Sequence, residues 1–147
     1  MLIDVKPGGE MGSPFDILVM LYEEAVGSMH RAAAAIEAGD VAARCRHVER
    51  AITIVTDLYA GLDLEEDGEF AAHLAVAYRL VLARLVLVNG RNDTVLARGT
   101  AGLLEPILDA WRRIARESRR LPHATAAGTA AASDDAVAPA RVDRPAA

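Results

Sequence analysis

The side chains that commonly carry chemistry are scattered along this sequence rather than gathered in a recognisable site. The four histidines fall on different segments, and neither a His-Glu-x-x-His pattern nor the Glu-x-x-His of di-iron bundles is present. The acidic clusters Glu23-Glu24 and 65–67 have no basic or nucleophilic residue converging on them. We therefore interpret these groups as solvated faces. The histidines are His30, His47, His73 and His123.

Three further features have simple structural explanations. Cys45 is the only cysteine, so an intramolecular disulfide and a thiolate metal cluster are excluded. Ser13 directly precedes Pro14, as a helix cap does, and needs no nucleophilic role. The pair Gly8-Gly9 is not followed by the Gly-Lys-Ser/Thr of a phosphate loop. We expect no enzymatic activity, no cofactor and no metal.

His73 leaves one chemical alternative open, because some four-helix bundles carry a phosphoryl group on an exposed histidine. Such histidines are usually followed by lysine and glycine, whereas Leu74, Ala75 and Val76 follow here. No phosphate-stabilising partner is present in the sequence around it. A phosphotransfer function is therefore the least favoured hypothesis.

The composition indicates the elements that must position any functional residue. Of the 147 residues, 52% are hydrophobic but only 4% are aromatic. Alanine is abundant in place of aromatic residues, and it favours helices strongly and strands poorly. The length suits one domain with a modest core. The net charge of −5 provides no domain-wide positive field, so nucleic acid is not expected as a partner. We predict an all-α protein.

The two ends of the chain differ from the part between them. Residues 1–12 lack the basic start and apolar run of a secretory signal, and we interpret them as a short N-terminal arm. Residues 122–147 are poor in large apolar side chains, which predicts a disordered tail. The longest apolar stretch, 80–88, contains Arg84 and falls far below the ~18 residues of a spanning helix. We expect a cytoplasmic protein without membrane insertion.

The region 13–121 shows helical periodicity and predicts a four-helix bundle, mostly antiparallel because the turns are short. Pro106, Gly99 and Gly102 weaken the fourth helix, and we expect a kink or a break at Pro106. Arginines at the end of that helix match its dipole; a solvated face is favoured over an anionic docking patch. The arginines are Arg112, Arg113, Arg116, Arg119 and Arg120. The predicted helices run from Pro14 to Gly39, from Asp40 to Gly61, from Glu69 to Val88 and from Asn92 or Asp93 to about Arg120, with an acidic connection at 61–68.

Helices two to four carry more large aliphatic residues than one buried stripe needs. On a helical wheel, the main face of the third helix contains Phe70, Leu74, Tyr78, Val81 and Leu85, and a second apolar face lies opposite. One explanation is that the extra faces are buried by irregular packing, by the N-terminal segment or by a homodimer contact. The other is an exposed groove for an apolar partner helix. Tyr22, Tyr78 and Trp111 are predicted to lie in the core. The candidate partner contacts are Ile54, Leu58, Val76, Leu80, Leu87, Leu104 and Leu108.

Four segments in register resemble the FliS-type flagellar export chaperones. They are SPFDILVMLYEEAV at 13–26 with AIEAGD at 35–40, LD…DGEFAAHL at 62–74, AYRLVLARLVLVNGRND at 77–93 and LLEPILDAW at 103–111. The resemblance covers about residues 13–115. It implies a small cytoplasmic helical bundle that binds the C-terminal segment of flagellin, blocks premature polymerisation and delivers the subunit to the export gate without nucleotide or metal.

The sequence departs from the family pattern in two places. Glu23 and Glu24 stand where the family commonly has an aspartate-glycine pair. Family members usually carry a tyrosine in an N-terminal arm that covers the empty groove, whereas the first tyrosine here is Tyr22, inside the first helix. The resemblance assigns no role to the C-terminal tail. A homo-oligomeric helical bundle is the alternative function.

Overall fold

The computed structural model describes residues 13–120, which fold into four helices without a strand in that range. The helices are α1 (Pro14–Ala38), α2 (Val41–Ala60), α3 (Leu64–Arg91) and α4 (Thr94–Arg120). The predicted all-α four-helix bundle is confirmed. The predicted arm at 1–12 and tail at 122–147 lie outside the described residues.

Short polar signals in the sequence set the start of each helix. At α1, Pro14 occupies the first turn, and the Asp16 carboxylate accepts a hydrogen bond from the Ser13 backbone N–H at 3.1 Å. The Ser13 hydroxyl has no partner within residues 13–120, so only half of a capping box forms. Each later helix has an aspartate cap, which satisfies one free N–H of the first turn. These caps are Asp40 to Ala43 N–H, Asp63 to Glu66 N–H and Asp93 to Leu96 N–H.

Helix α3 begins earlier than the sequence predicts. The segment expected to be a connection contains a helical turn that starts at Leu64, and Gly68 then interrupts the helix with φ 57° and ψ −122°. This backbone conformation is disfavoured for residues with a Cβ, which explains a glycine at this point. The helix ends at Arg91, and Asn92 caps it with φ 53°.

Helix α4 is continuous through Pro106, so a break does not occur there, while the alternative expectation of a kink stays a prediction. Pro106 is exposed, while Leu104 and Leu108 on either side of it are buried. Gly99 and Gly102 also lie on the exposed side. The packing of the buried side holds the helix together where propensity alone would end it.

The core runs along the bundle axis. Helix α1 packs against α2 and α4, and α3 closes the bundle by packing against the same two helices. The largest fully buried apolar side chains are Tyr22, Met29, Val48, Val55, Tyr78, Val81, Leu85, Val88 and Leu104.

A ladder of four side-chain pairs joins α1 to α4. One residue number rises by seven at each pair while the other falls by seven, so the helices run antiparallel in a fixed register. All partners are at least partly exposed, and each pair contributes only ~0.2–1 kcal/mol. The pairs are Asp16–Arg119, Glu23–Arg112 at 2.9 Å, His30–Glu105 at 3.1 Å and Glu37–Arg98 at 3.1 Å.

Helix α3 is long and apolar enough to cross a membrane when judged by length and composition alone. One side of it, including Leu74, Val81 and Leu85, is buried in the bundle core. A core helix of a bundle meets the same criterion. The unusual feature of α3 is that its other side is also apolar.

Candidate functional site

The few aromatic residues of the chain cluster at one end of the bundle. Trp111 stacks on Phe15 with ring centroids 6.1 Å apart and meets Tyr22 and Phe70 edge-on at 6.3 and 6.0 Å. Tyr78 lies next to Tyr22. Both phenylalanines, the only tryptophan and two of the three tyrosines therefore lie together. A cluster of this kind provides a large apolar area with well-defined geometry.

A buried hydrogen bond fixes the inner part of this cluster. The hydroxyls of Tyr22 and Tyr78 lie 2.5 Å apart, and both side chains are almost fully buried. Burial raises the pKa of both hydroxyls above the ordinary tyrosine value, and the neighbouring Tyr22 raises the pKa of Tyr78 further. The indole N–H of Trp111 has no hydrogen-bond partner within the described region. Tyr22, Tyr78 and Trp111 lie in the core as predicted.

Two apolar cavities open beside the aromatic cluster. The first, of about 420 Å³, lies where the start of α1, the end of α2, the start of α3 and the end of α4 meet. The second, of about 360 Å³, lies between α3 and α4 next to Pro106. Both are lined mainly by aliphatic and aromatic side chains, with Asp57 and Asp67 at the first and His73 at the second. Cavities of this size and lining bind apolar groups.

The walls of the two cavities include large apolar side chains that remain exposed. Phe70 is 56% exposed and Ile114 is 39% exposed, although both stand against the aromatic cluster. The helical wheel predicts Phe70 on the buried main face of α3, whereas more than half of its side chain is exposed in the structure. Exposed aromatic and aliphatic residues around a cavity are typical of a surface that binds a partner.

The second apolar face of α3 forms an outer stripe, defined by Val76, Leu80 and Leu87. These side chains are 56%, 40% and 41% exposed, in agreement with the helical wheel. Arg79, next to Leu80, donates to the hydroxyl of Tyr59 and so lies on the side of α3 that faces α2. The exposure of the stripe is established, and its contact with a partner stays a prediction.

The other four candidate contacts are buried, so the expectation that they form an exposed face is wrong. Ile54 and Leu58 are 4% and 6% exposed, and Leu104 and Leu108 are 0% and 3% exposed. All four belong to the main core cluster. The wheel misplaced them because each helix packs against two neighbours, which widens the buried arc beyond one stripe. Leu58 still lines the first cavity.

The arginine-rich end of α4 divides into two groups. Arg112 and Arg119 belong to the ladder with α1, and Arg112 also pairs with Asp109 on its own helix. Arg113, Arg116 and Arg120 are exposed and form no ion pair with another residue of 13–120. The arginines thus serve partly to hold the bundle together.

The described residues contain no group of three or more histidine, cysteine or acidic side chains that could hold a metal ion. His30 pairs with Glu105 in the ladder, and His73 lines the second cavity. His47, the third histidine of the described residues, lies on α2 and is partly buried. His123 lies outside the described residues.

The positions of the aromatic residues in the sequence also indicate this site, although helical periodicity alone does not. Phe15 and Phe70 occur near the starts of α1 and α3, and Trp111 occurs near the end of α4. In an antiparallel bundle these three ends coincide. The position of the rare aromatic residues relative to the helix ends therefore predicts the aromatic cluster, which a wheel of single helices cannot show.

Comparison with known proteins identifies the family. The family model described as flagellar protein FliS matches residues 9–118. The flagellar secretion chaperone FliS of Salmonella typhimurium (strain LT2) is 35% identical over 113 residues, which is 76% of this chain and 84% of that protein. The FliS proteins of Campylobacter jejuni and Bacillus subtilis are 31% and 27% identical and cover 69% and 76% of the chain, or 80% and 82% of their own lengths. The chain therefore belongs to the FliS family of flagellar secretion chaperones.

Proposed function

We propose that this protein binds the C-terminal segment of flagellin in the cytoplasm, prevents its premature polymerisation and assists its delivery to the flagellar export gate. The proposal follows from membership of the family of flagellar secretion chaperones. The observation that carries it is the exposed apolar surface made of the two cavities and the outer stripe of α3.

The surface suits a partner that is itself apolar and helical. Val76, Leu80 and Leu87 lie at intervals of four and seven residues, and each remains accessible to a second helix. Burial of their apolar area would supply about 25 cal/mol per Å² before the partner's ordering cost is subtracted. Binding of this kind needs neither catalysis nor a cofactor.

Calorimetry with a peptide of the flagellin C-terminal segment tests the proposal. We expect stoichiometric binding to the full chain and a loss of affinity of at least about tenfold for Leu80→Asp, because a carboxylate would be desolvated in the interface. Val95→Asp is the matched control, since Val95 is 81% exposed and belongs to α4 rather than to the outer stripe of α3. Failure of the wild-type chain to bind the peptide would refute the function. Equal affinity of Leu80→Asp and the control would refute only the outer stripe as the contact.

A further inference from the structure

The two cavities share part of their wall. Phe70, Leu74, Trp111 and Ile114 line both cavities. Leu74 and Trp111 are buried parts of the core, and Ile114 is partly exposed. Phe70 is the most exposed of the four shared residues, so a change in its side-chain position would disturb the core least.

Phe70 makes fewer aromatic contacts than Trp111 does. Its one aromatic contact in the described chain is the edge-on approach to Trp111 at 6.0 Å. Trp111, by contrast, also contacts Phe15 and Tyr22. A single edge-to-face contact of an exposed ring contributes little, and rotamer changes of exposed side chains are fast.

The backbone just before Phe70 departs from the α-helix. Gly68 has φ 57°, and a Cβ built at this position would meet no atom within 4 Å. The preceding turn contains Leu64, which is 56% exposed, and Asp67, which lines the first cavity. The regular α-helix that carries Phe70 therefore begins only after Gly68.

We propose that Phe70 is a movable divider whose displacement from Trp111 joins the two cavities into one apolar groove. The joined groove takes two large aliphatic or aromatic side chains that lie one turn apart on a partner helix. This inference rests on the proposed function, because the partner helix is that of the flagellin segment.

The charges at the groove specify the partner further. Asp57 and Asp67 border the first cavity, and neither pairs with a basic residue of 13–120. His73 is the titratable residue at the second cavity. A partner helix with a lysine or arginine next to its first apolar side chain would place that cation beside the two carboxylates.

The substitution Phe70→Ala distinguishes a divider from an anchor, which is a residue that the bound peptide contacts directly. The two roles predict opposite changes in peptide affinity. If Phe70 blocks the groove, Phe70→Ala removes a contact that the peptide must displace, and peptide affinity rises by up to about tenfold. If Phe70 is instead an anchor for the peptide, the substitution lowers affinity by a similar factor. Ile114→Ala, in the fixed wall, should lower affinity, and Val86→Ala, 63% exposed elsewhere on α3, should leave it unchanged.

A second measurement keeps the inference testable without the peptide. Trp111 is the only tryptophan, so its fluorescence reports on the cavities directly. Phe70→Ala should increase both the acrylamide quenching of Trp111 and the binding of the dye ANS, relative to wild type and to Val86→Ala. Loss of peptide affinity in Phe70→Ala, or quenching and dye binding equal to wild type, would overturn the divider. Absence of peptide binding to the wild-type chain, with increased quenching and dye binding in Phe70→Ala, would refute the proposed function and support the divider.

Discussion

The hydroxyls of Tyr22 and Tyr78 depend on each other, because each is the hydrogen-bond partner of the other inside the core. Replacing either tyrosine with phenylalanine leaves one buried hydroxyl without this partner, at a cost of about 1–3 kcal/mol. The double phenylalanine variant removes both polar groups and should cost less than the sum of the single variants. Urea unfolding of the four proteins measures this coupling, and additive effects would contradict it.

The same pair predicts a loss of stability at alkaline pH. Burial raises the pKa of both tyrosines in the folded state, while unfolded tyrosine ionises near pH ~10. Above that pH the unfolded chain has released protons that the folded chain still holds. The free energy of unfolding therefore falls as pH rises, by up to ~1.4 kcal/mol per pH unit for each tyrosine.

The double phenylalanine variant should lose less stability than wild type between pH 9 and about 11.5. Tyr59→Phe is the control, since Tyr59 is 37% exposed and stands outside the aromatic cluster. An alkaline decline of equal steepness in wild type and the double variant would show that other groups cause it.

At the scale of single residues, the sequence predicts the core better than the surface. Tyr22, Tyr78 and Trp111 were assignable because large aromatic residues on a helical face are usually buried. Leu104 and Leu108 were misassigned, because their burial depends on the width of the contact between α4 and its two neighbours. A helical wheel gives the direction of each side chain around the helix axis. It does not show how wide the contact with the neighbouring helices is.

At the scale of elements, the ladder between α1 and α4 provides a test of register. Glu37 and Arg98 form the last pair of the ladder and have no other ion-pair partner within residues 13–120. A double-mutant cycle with Glu37→Ala and Arg98→Ala should give a coupling of ~0.3–1 kcal/mol that weakens at high salt.

A mismatched cycle is the control for the ladder. Glu37→Ala and Arg112→Ala remove side chains from pairs two steps apart, so their effects on the free energy of unfolding should add. Coupling of the mismatched pair as strong as that of Glu37 with Arg98 would show that α1 and α4 do not keep the described register.

The helix boundaries show which local sequence signals are sufficient to predict where a helix begins or ends. The end of α1 at Gly39 and the Asp40 cap of α2 agree with the prediction, because these residues act through their own backbone and side-chain chemistry. The Asp63 cap of α3 lies in the segment that is predicted to be a connection. The start of α3 and the continuity of α4 at Pro106 were missed. In both cases packing against other helices determines where the helix begins or continues. Helix propensity describes only the isolated segment.

At the scale of the whole molecule, the exposed stripe of α3 must be compatible with the assembly state of the protein. If the stripe is reserved for flagellin, the free chain should be a monomer that binds one peptide in sedimentation or light-scattering measurements. A stable dimer that the peptide does not disturb would favour the homo-oligomeric alternative. Leu80→Asp should then dissociate the dimer, because it places two carboxylates in the shared interface.

The sequence also predicts the fold class and family better than it predicts the site. Composition and periodicity are properties of the whole chain, so the all-α bundle follows from many residues at once. The groove depends on how four helix ends meet, and Phe70, Trp111 and Ile114 contribute to it from different segments. Only the assembled bundle brings those residues together.

An even number of antiparallel helices places the first and the last helical residue at the same end of the bundle. The pair Asp16–Arg119 shows that these ends are adjacent, and Phe15 and Ile114 place the first cavity there as well. The first and last described residues, Ser13 and Arg120, therefore lie at the end of the bundle where the first cavity opens. A circular permutant opened at Gly39-Asp40, the turn at the opposite end, would carry its attachments away from the partner.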